Sequence, residues 1–191
     1  MLARPALPRY HLAVGDSQYL TSGLVLDASP LIYLAKLEAL DVLSTVTREA
    51  LVTPAVLEEV TRPQVAYRHP DAAEIEASVT RGAIKLLTLT VQEQENASGI
   101  AERIPGLDPG EAEVLAVSIA RSLPAVIFER RARRVAGALG AGLIDVIELI
   151  VRGTTGRALR KERIVRFARM VDMRLDDAVE LLARVRSTSL G

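Results

Sequence analysis

Short apolar runs alternate with segments of helical periodicity along most of the chain. Runs rich in Val, Leu and Ile predict five strands, at residues 23–28, 51–53, 84–89, 125–128 and 143–144. Between them, apolar residues recur every three or four positions, which predicts amphipathic helices. These helices are expected over residues 30–37, 38–43, 54–62, 71–81, 93–103, 108–121 and 129–139, with three more over 145–151, 157–171 and 175–186.

Regular alternation of strands and helices predicts an α/β fold around a parallel sheet, because parallel neighbours need long crossover connections and helices supply them. The length of 191 residues favours one compact domain. Residues 1–22 show no clean period and are predicted to be an N-terminal extension.

Composition narrows the possible chemistry. Hydrophobic residues make up 49% of the chain and charged residues 25%, as in soluble globular domains. The chain has no Cys and only two His, His11 and His69, so thiolate zinc sites and thiol nucleophiles are excluded and a histidine-based site is disfavoured. We expect a cytoplasmic protein, since no apolar stretch is long enough for a membrane span or a secretory signal.

Charge is distributed unevenly although the net charge is zero. Residues 129–169 contain eleven Lys and Arg against four acids, and the rest of the chain is correspondingly acidic. Such a basic segment favours a polyanionic partner, although solvated helix faces would explain it equally well.

Asp27 is the first candidate for chemistry. In open α/β sheets ligands bind outside the carboxyl ends of the strands, and Asp27 ends the first predicted strand. An Asp before a helix often serves as a cap, but Ser29 already fits that position and Pro30 suits the first turn. We therefore favour a functional role for Asp27.

Glu58 and Glu59 are adjacent on one predicted helix and point about 100° apart. Val56 and Val60 lie three before and one after Glu59, which places Glu59 on the flank of the buried face. A buried carboxylate is costly unless it meets a cation or a donor. Glu59 is therefore the inward candidate.

Glu111 follows Asp108 by three residues, which is the spacing of a capping box. It also precedes Val114 and Leu115 by three and four residues and so shares their core-facing side. Both roles stay open. Glu129 and Asp145, at the ends of later strands, are further candidates that would otherwise be ordinary surface residues.

Converging carboxylates require a counter-charge. Two like charges about 5 Å apart repel by roughly 3 kcal/mol at an effective dielectric constant near 20. Mg²⁺ or Mn²⁺ suits an all-oxygen ligand set and often completes its coordination with substrate phosphate. Such an ion polarises a phosphodiester and activates water, and the basic segment would hold a nucleic-acid backbone.

Four blocks of this sequence resemble successive motifs of the PIN-domain nucleases. They are Val25-Leu-Asp-Ala-Ser-Pro-Leu-Ile32, Val52-Thr-Pro-Ala-Val-Leu-Glu-Glu-Val60, Leu107-Asp-Pro-Gly-Glu-Ala-Glu-Val114 and Val126-Ile-Phe-Glu-Arg-Arg-Ala-Arg-Arg-Val-Ala136. The resemblance implies a three-layer PIN-like sandwich with a central parallel sheet over residues 23–153, followed by a C-terminal helical extension, 154–191. It also implies a Mg²⁺- or Mn²⁺-dependent ribonuclease, often the toxin of a toxin–antitoxin pair, with an antitoxin partner and a homodimeric state.

By position, the resemblance assigns Asp27, Glu59 and Glu111 as metal ligands. The fourth block departs from the family, which usually has Asp where this chain has Phe128 and Glu129. Glu129 could act from the same strand end as a catalytic acid, or Asp145 could replace the missing ligand. The predicted nucleic-acid contacts are Ser29, Arg130, Arg133 and Arg134, although Arg134 could instead be a buried partner of an acid.

Two other functions fit the sequence less well. Phe128 would suit a catalytically weak or inactive PIN scaffold that binds RNA or a partner protein. A phosphatase-like enzyme with Asp27 as nucleophile is the more distant alternative, because no lysine stands convincingly near a strand end.

Overall fold

All five predicted strands pair in one parallel sheet. The computed structural model describes residues 23–62, 71–173 and 177. The strands are β1 (Leu24–Leu26), β2 (Ala50–Val52), β3 (Lys85–Leu86), β4 (Ala125–Val126) and β5 (Leu143–Ile144), in the spatial order β3-β2-β1-β4-β5. The prediction of an α/β fold with a central parallel sheet is confirmed.

β1 lies at the centre of this sheet. Its residue Leu26 pairs with Val52 on one side and with Val126 on the other, and all three residues are 0% exposed. A strand covered on both faces has no polar side to present, which explains why β1 is a continuous apolar run.

Helices cover both faces of the sheet. Within the described residues they are α1 (Ala28–Lys36), α2 (Asp41–Val46), α3 (Pro54–Thr61), α4 (Asp71–Thr80), α5 (Val91–Arg103), α6 (Pro109–Arg121), α7 (Arg130–Leu139), α8 (Val146–Gly153) and α9 (Arg157–Met170). None of these helices is both long and apolar enough to cross a membrane. The predicted extension at 1–22 and nearly all of the predicted helix at 175–186 lie outside the described residues.

The observed bounds of some helices and strands differ from the predicted ones. The helix expected over 38–43 runs from Asp41 to Val46 instead, because Glu38 adopts the left-handed conformation (φ 52°) and ends the preceding helix. The third strand is shorter than expected: it lies at the edge of the sheet, pairs only with β2, and has both residues exposed.

Helix α9 packs into the same core as the sheet. Phe167 of α9 is 1% exposed and makes edge-to-face contacts with Tyr33 of α1 and with Phe128, at centroid distances of 5.7 and 6.0 Å. Tyr33 and Phe128 stack edge to face on each other at 5.0 Å. We call these three rings the aromatic cluster.

Arg163 of the same helix forms hydrogen bonds and an ion pair with residues outside α9. Its guanidinium group donates to the Glu38 carbonyl oxygen at 2.6 Å and to the Thr154 hydroxyl at 3.1 Å, and forms an ion pair with Asp41 at 2.8 Å. α9 is therefore tied to the turn between α1 and α2. The division of the chain at residue 153 remains a prediction.

Candidate metal centre at the carboxyl edge of the sheet

Asp27 directly follows the central strand and is only 3% exposed. Its backbone N–H donates to the Val126 carbonyl oxygen at 3.0 Å, which extends the sheet pairing to this position. Asp27 stands at the N-cap of α1, yet its side chain makes no capping hydrogen bond. A purely structural capping role therefore does not account for this buried acid.

Burial raises the pKa of Asp27 from 3.8 to about 8. Loss of solvation is the largest cause, and the negative charges of Asp108, Glu111 and Glu59 raise it further, while a hydrogen bond from the backbone of Ala28 opposes them. The predicted acids thus lie close enough to one another to interact electrostatically. Without a cation, Asp27 is largely protonated at neutral pH.

α3 presents Glu59 to the site and turns Glu58 away, as the sequence predicts. Val56 and Val60 are buried, Glu59 is half-buried, and Glu58 is exposed and paired with Arg62 at 3.2 Å. Loss of solvation raises the pKa of Glu59, and the charge of Asp108 adds to this effect.

Glu111 has the capping role that the sequence leaves open, and its side chain is buried as well. Its side chain accepts from the Asp108 N–H at 3.1 Å, and the Asp108 carboxylate accepts from the Glu111 N–H at 2.7 Å, which completes a capping box. Glu111 is also 5% exposed, and burial raises its pKa together with the charges of Asp108, Glu129 and Glu59. Asp108, expected only to cap the helix, is therefore a further acid of the site.

Gly110 lets the start of α6 approach α3 closely. A Cβ at this position would lie 3.2 Å from Val56 Cγ2 and from Asp108 Oδ1, and 3.4 Å from Glu59 Oε2. These distances are shorter than ordinary van der Waals contacts, so a side chain here would require its neighbours to shift by a few tenths of an ångström. The glycine in this block thus brings Glu59 to the first turn that carries Asp108 and Glu111.

Glu129 stands at the exposed rim of this group. Its charge raises the pKa of Glu111 and, after loss of solvation, also that of Tyr33. Glu129 therefore lies close enough to Glu111 and to Tyr33 of the aromatic cluster to raise the pKa values of both. We call Asp27, Glu59, Asp108, Glu111 and Glu129 the acidic group.

Asp145 has a different partner. It forms an ion pair with Arg133 at 3.0 Å, and Arg133 also donates to the Ile127 carbonyl oxygen at 2.8 Å. Arg133 is 6% exposed, so the structure corrects the expectation that it binds nucleic acid. The buried pairing role that the sequence allows for Arg134 belongs to Arg133, and Arg134 is exposed.

The other predicted contacts to nucleic acid are accessible to solvent. Arg130 and Arg134 are exposed on α7, and Ser29 is half-buried in the first turn of α1. Arg131 is exposed as well and covers Gly106, where a Cβ would collide with its guanidinium group.

Two residues next to the acidic group were not predicted. Glu113 accepts a hydrogen bond from the Ala55 N–H at 2.9 Å and so caps α3 from the neighbouring helix. Thr53, at the end of β2, is 0% exposed and its hydroxyl has no hydrogen-bond partner within the described part of the chain. Both features depend on how α3 meets α6, which local sequence spacing does not reveal.

The donor chemistry of the acidic group suits a hard divalent cation. All donors are oxygens, their mutual repulsion calls for a positive charge, and Thr53 adds a buried oxygen without a partner. Across residues 23–62 and 71–173, no three carboxylate or imidazole groups are placed closely enough to hold a metal ion by themselves. The arrangement fits Mg²⁺, which is commonly bound through one or two carboxylates together with water and substrate phosphate.

Comparison with known proteins identifies the family of this chain. The family model DUF3368, described as a PIN domain, matches residues 23–183, which is most of the chain. The crystal structure of PAE2754 from Pyrobaculum aerophilum is similar, with a TM-score of 0.48 and 20% sequence identity over 69% of this chain and 96% of that one. A search of the curated proteins found no significant match.

Proposed function

Because the chain belongs to the PIN-domain family, we propose that it is a Mg²⁺- or Mn²⁺-dependent endoribonuclease that hydrolyses RNA phosphodiester bonds. The observation that carries this proposal is the burial of Asp27 beside Glu59, Asp108 and Glu111, which raises its pKa to about 8. The capping box accounts for Asp108 and Glu111, but no structural role accounts for the burial of Asp27 among them, since each neighbouring acid adds to the repulsion.

Asp27, Glu59 and Glu111 are the residues that would contribute ligands to the ion, together with water and substrate phosphate. When bound, the cation supplies a Lewis acid that polarises the phosphodiester and activates water. Asp27 carries a proton on its carboxyl group in the ion-free protein at neutral pH and must release it to bind a cation, so ion binding strengthens as the pH rises. The exposed guanidinium groups of Arg130 and Arg134 would hold substrate phosphates beside the acidic group.

Cleavage of labelled RNA in Mn²⁺ or Mg²⁺ tests this proposal. We expect Asp27→Asn and Glu59→Gln each to lower the cleavage rate by at least about 100-fold, because each removes a charge that binds the ion. Glu58→Gln is the matched control: it alters the adjacent glutamate on the same helix, which is exposed and paired with Arg62. Cleavage that survives both EDTA and Asp27→Asn would reject the metal centre.

One observation favours a second candidate, an inactive PIN scaffold that binds RNA. Phe128 occupies the position where the family is expected to carry an acid, and it is engaged in the aromatic cluster. Binding without cleavage would then be the outcome. RNA affinity that falls steeply with salt, and falls again in Arg130→Ala, with no turnover above Asp27→Asn, would favour this candidate.

We further propose the toxin role that the family resemblance implies. A ribonuclease of this kind would act on cellular RNA, as a homodimer restrained by an antitoxin protein. Expression of the chain in a bacterial host should then slow growth, whereas expression of Asp27→Asn should not.

A further inference from the structure

The Thr53 hydroxyl is buried without a hydrogen bond to any residue that the structure describes. Thr53 is 0% exposed, and within the described ranges its Oγ1 has no partner. A buried hydroxyl without a hydrogen bond destabilises a protein, so groups of this kind are rare in native structures. Such a residue is expected where another state of the molecule supplies the missing partner.

The sheet places Thr53 next to Asp27. Leu26 pairs with Val52, and the residues that follow them both keep an extended backbone, with φ and ψ of −82° and 166° at Asp27 and of −89° and 162° at Thr53. Neighbouring strands lie about 4.8 Å apart, and residues at the same level point to the same face of the sheet. Thr53 is therefore the neighbour of Asp27 across the strand pair, at the same level of the sheet.

The Thr53 side chain also does not form the capping hydrogen bond that is usual for a threonine at its position. Thr53 is the N-cap of α3, where a Thr side chain normally accepts a hydrogen bond from the second or third helical N–H. Here the Ala55 N–H, in the second position, donates to Glu113 at 2.9 Å instead, and Thr53 makes no capping hydrogen bond. Glu113 thus accepts from the second helical N–H in place of Thr53.

We propose that Thr53 is a positioning residue of the cation site: its hydroxyl donates a hydrogen bond to the Asp27 carboxylate when a divalent cation is bound there. The inference rests on the proposed function, from which it takes the cation. Without the cation, the unbonded hydroxyl then destabilises the protein. The hydrogen bond that forms on cation binding offsets this loss. Removing the hydroxyl should therefore affect the two states in opposite directions.

The test compares three variants of the full chain with the wild type. Thr53→Val removes the hydroxyl and keeps the shape, Thr53→Ser keeps a hydroxyl, and Thr154→Val is the matched control. Thr154 is equally buried, at 1% exposure, but its hydroxyl accepts from Arg163 at 3.1 Å. The readouts are the melting temperature in EDTA and the Mn²⁺ dissociation constant measured by calorimetry without RNA.

We expect Thr53→Val to melt in EDTA at or above the wild-type temperature and to bind Mn²⁺ about tenfold more weakly, which corresponds to the loss of about one hydrogen bond. Thr53→Ser should retain most of the affinity. Thr154→Val should show the opposite pattern, with a lower melting temperature and unchanged Mn²⁺ affinity, because its hydroxyl is bonded already in the ion-free protein.

Two results overturn the inference alone: Thr53→Val binding Mn²⁺ within twofold of the wild type, or melting in EDTA as far below it as Thr154→Val does. If the wild type cleaves RNA with Mn²⁺ while Thr53→Val binds the ion normally, the proposed function stands and the role of Thr53 falls. If the wild type binds no Mn²⁺, both fall.

Discussion

The buried carboxyl group of Asp27 makes the stability of the ion-free protein depend on pH in an unusual direction. Its pKa rises from 3.8 to about 8 on folding, so between these values the folded state binds a proton that the unfolded state releases. The contribution of Asp27 to the free energy of unfolding is therefore most favourable below about pH 4, and it falls as the pH rises towards 8.

Asp27→Asn should remove this penalty. The pKa shift sets an upper bound of roughly 5 kcal/mol, and we expect Asp27→Asn to be about 2–3 kcal/mol more stable than the wild type at pH 8 in EDTA. The difference should shrink towards zero at pH 4. Urea unfolding at both pH values measures it, and an equal effect of Asp27→Asn at pH 4 and pH 8 would show that Asp27 is not the group that titrates.

At the scale of single residues, the sequence predicts those positions whose environment is set by their own helix or strand. Glu59 is distinguished from Glu58 by Val56 and Val60, and Asp27 by the strand that it ends. Arg133 is misassigned, because the choice between it and Arg134 depends on Asp145 and Ile127, which approach from other elements.

At the scale of elements, the helix starts are predicted better than the contacts between helices. The Asp108–Glu111 capping box is visible as a local spacing, and the structure contains it. The equivalent box at the start of α5, formed by Thr90 and Glu93, is not predicted, and the helix begins two residues before its predicted start. Glu93 has a second partner in space, Arg121 of α6, which no local spacing could show.

The Glu93–Arg121 pair holds α5 against α6. Arg121 donates to the two Glu93 carboxylate oxygens at 2.6 and 2.8 Å, and this hydrogen bonding lowers the pKa of Glu93 to about 2. We expect Glu93→Gln to destabilise the protein by about 2 kcal/mol at pH 7, a value limited by the partial exposure of Arg121. Gln can still complete a capping box, so this substitution isolates the ion pair.

Glu95→Gln is the matched control, because Glu95 is exposed on the same helix, and we expect a change within about 0.5 kcal/mol. A depressed pKa stabilises the folded state above the unfolded value and loses this effect as the pH falls from about 4.5 to about 2. The difference between Glu93→Gln and the wild type in urea unfolding should therefore narrow over that range. A difference that stays constant down to pH 2 would contradict the ion-pair explanation.

At the scale of the whole molecule, Phe128 links the site to helix α9. Phe128 follows the strand next to Asp27 and packs edge to face on Phe167 of α9 and Tyr33 of α1. At the end of β4, an aromatic side chain that packs on two other rings thus stands where a polar residue could have faced the site. α9 is therefore predicted to be part of the domain's cooperative core, although the basic, weakly amphipathic sequence of this helix gives little sign of it.

Phe167→Ala tests how far α9 belongs to the core. Phe167 is 1% exposed, and emptying such a site typically costs about 3–5 kcal/mol. We expect a single unfolding transition, followed by circular dichroism and Tyr fluorescence together, that shifts to lower temperature as a whole. Leu159→Ala on the same helix is the control, because Leu159 is 43% exposed and should change stability by less than about 1 kcal/mol. If α9 were a dispensable addition, Phe167→Ala would remove helical signal in a separate early transition and leave the main midpoint unchanged.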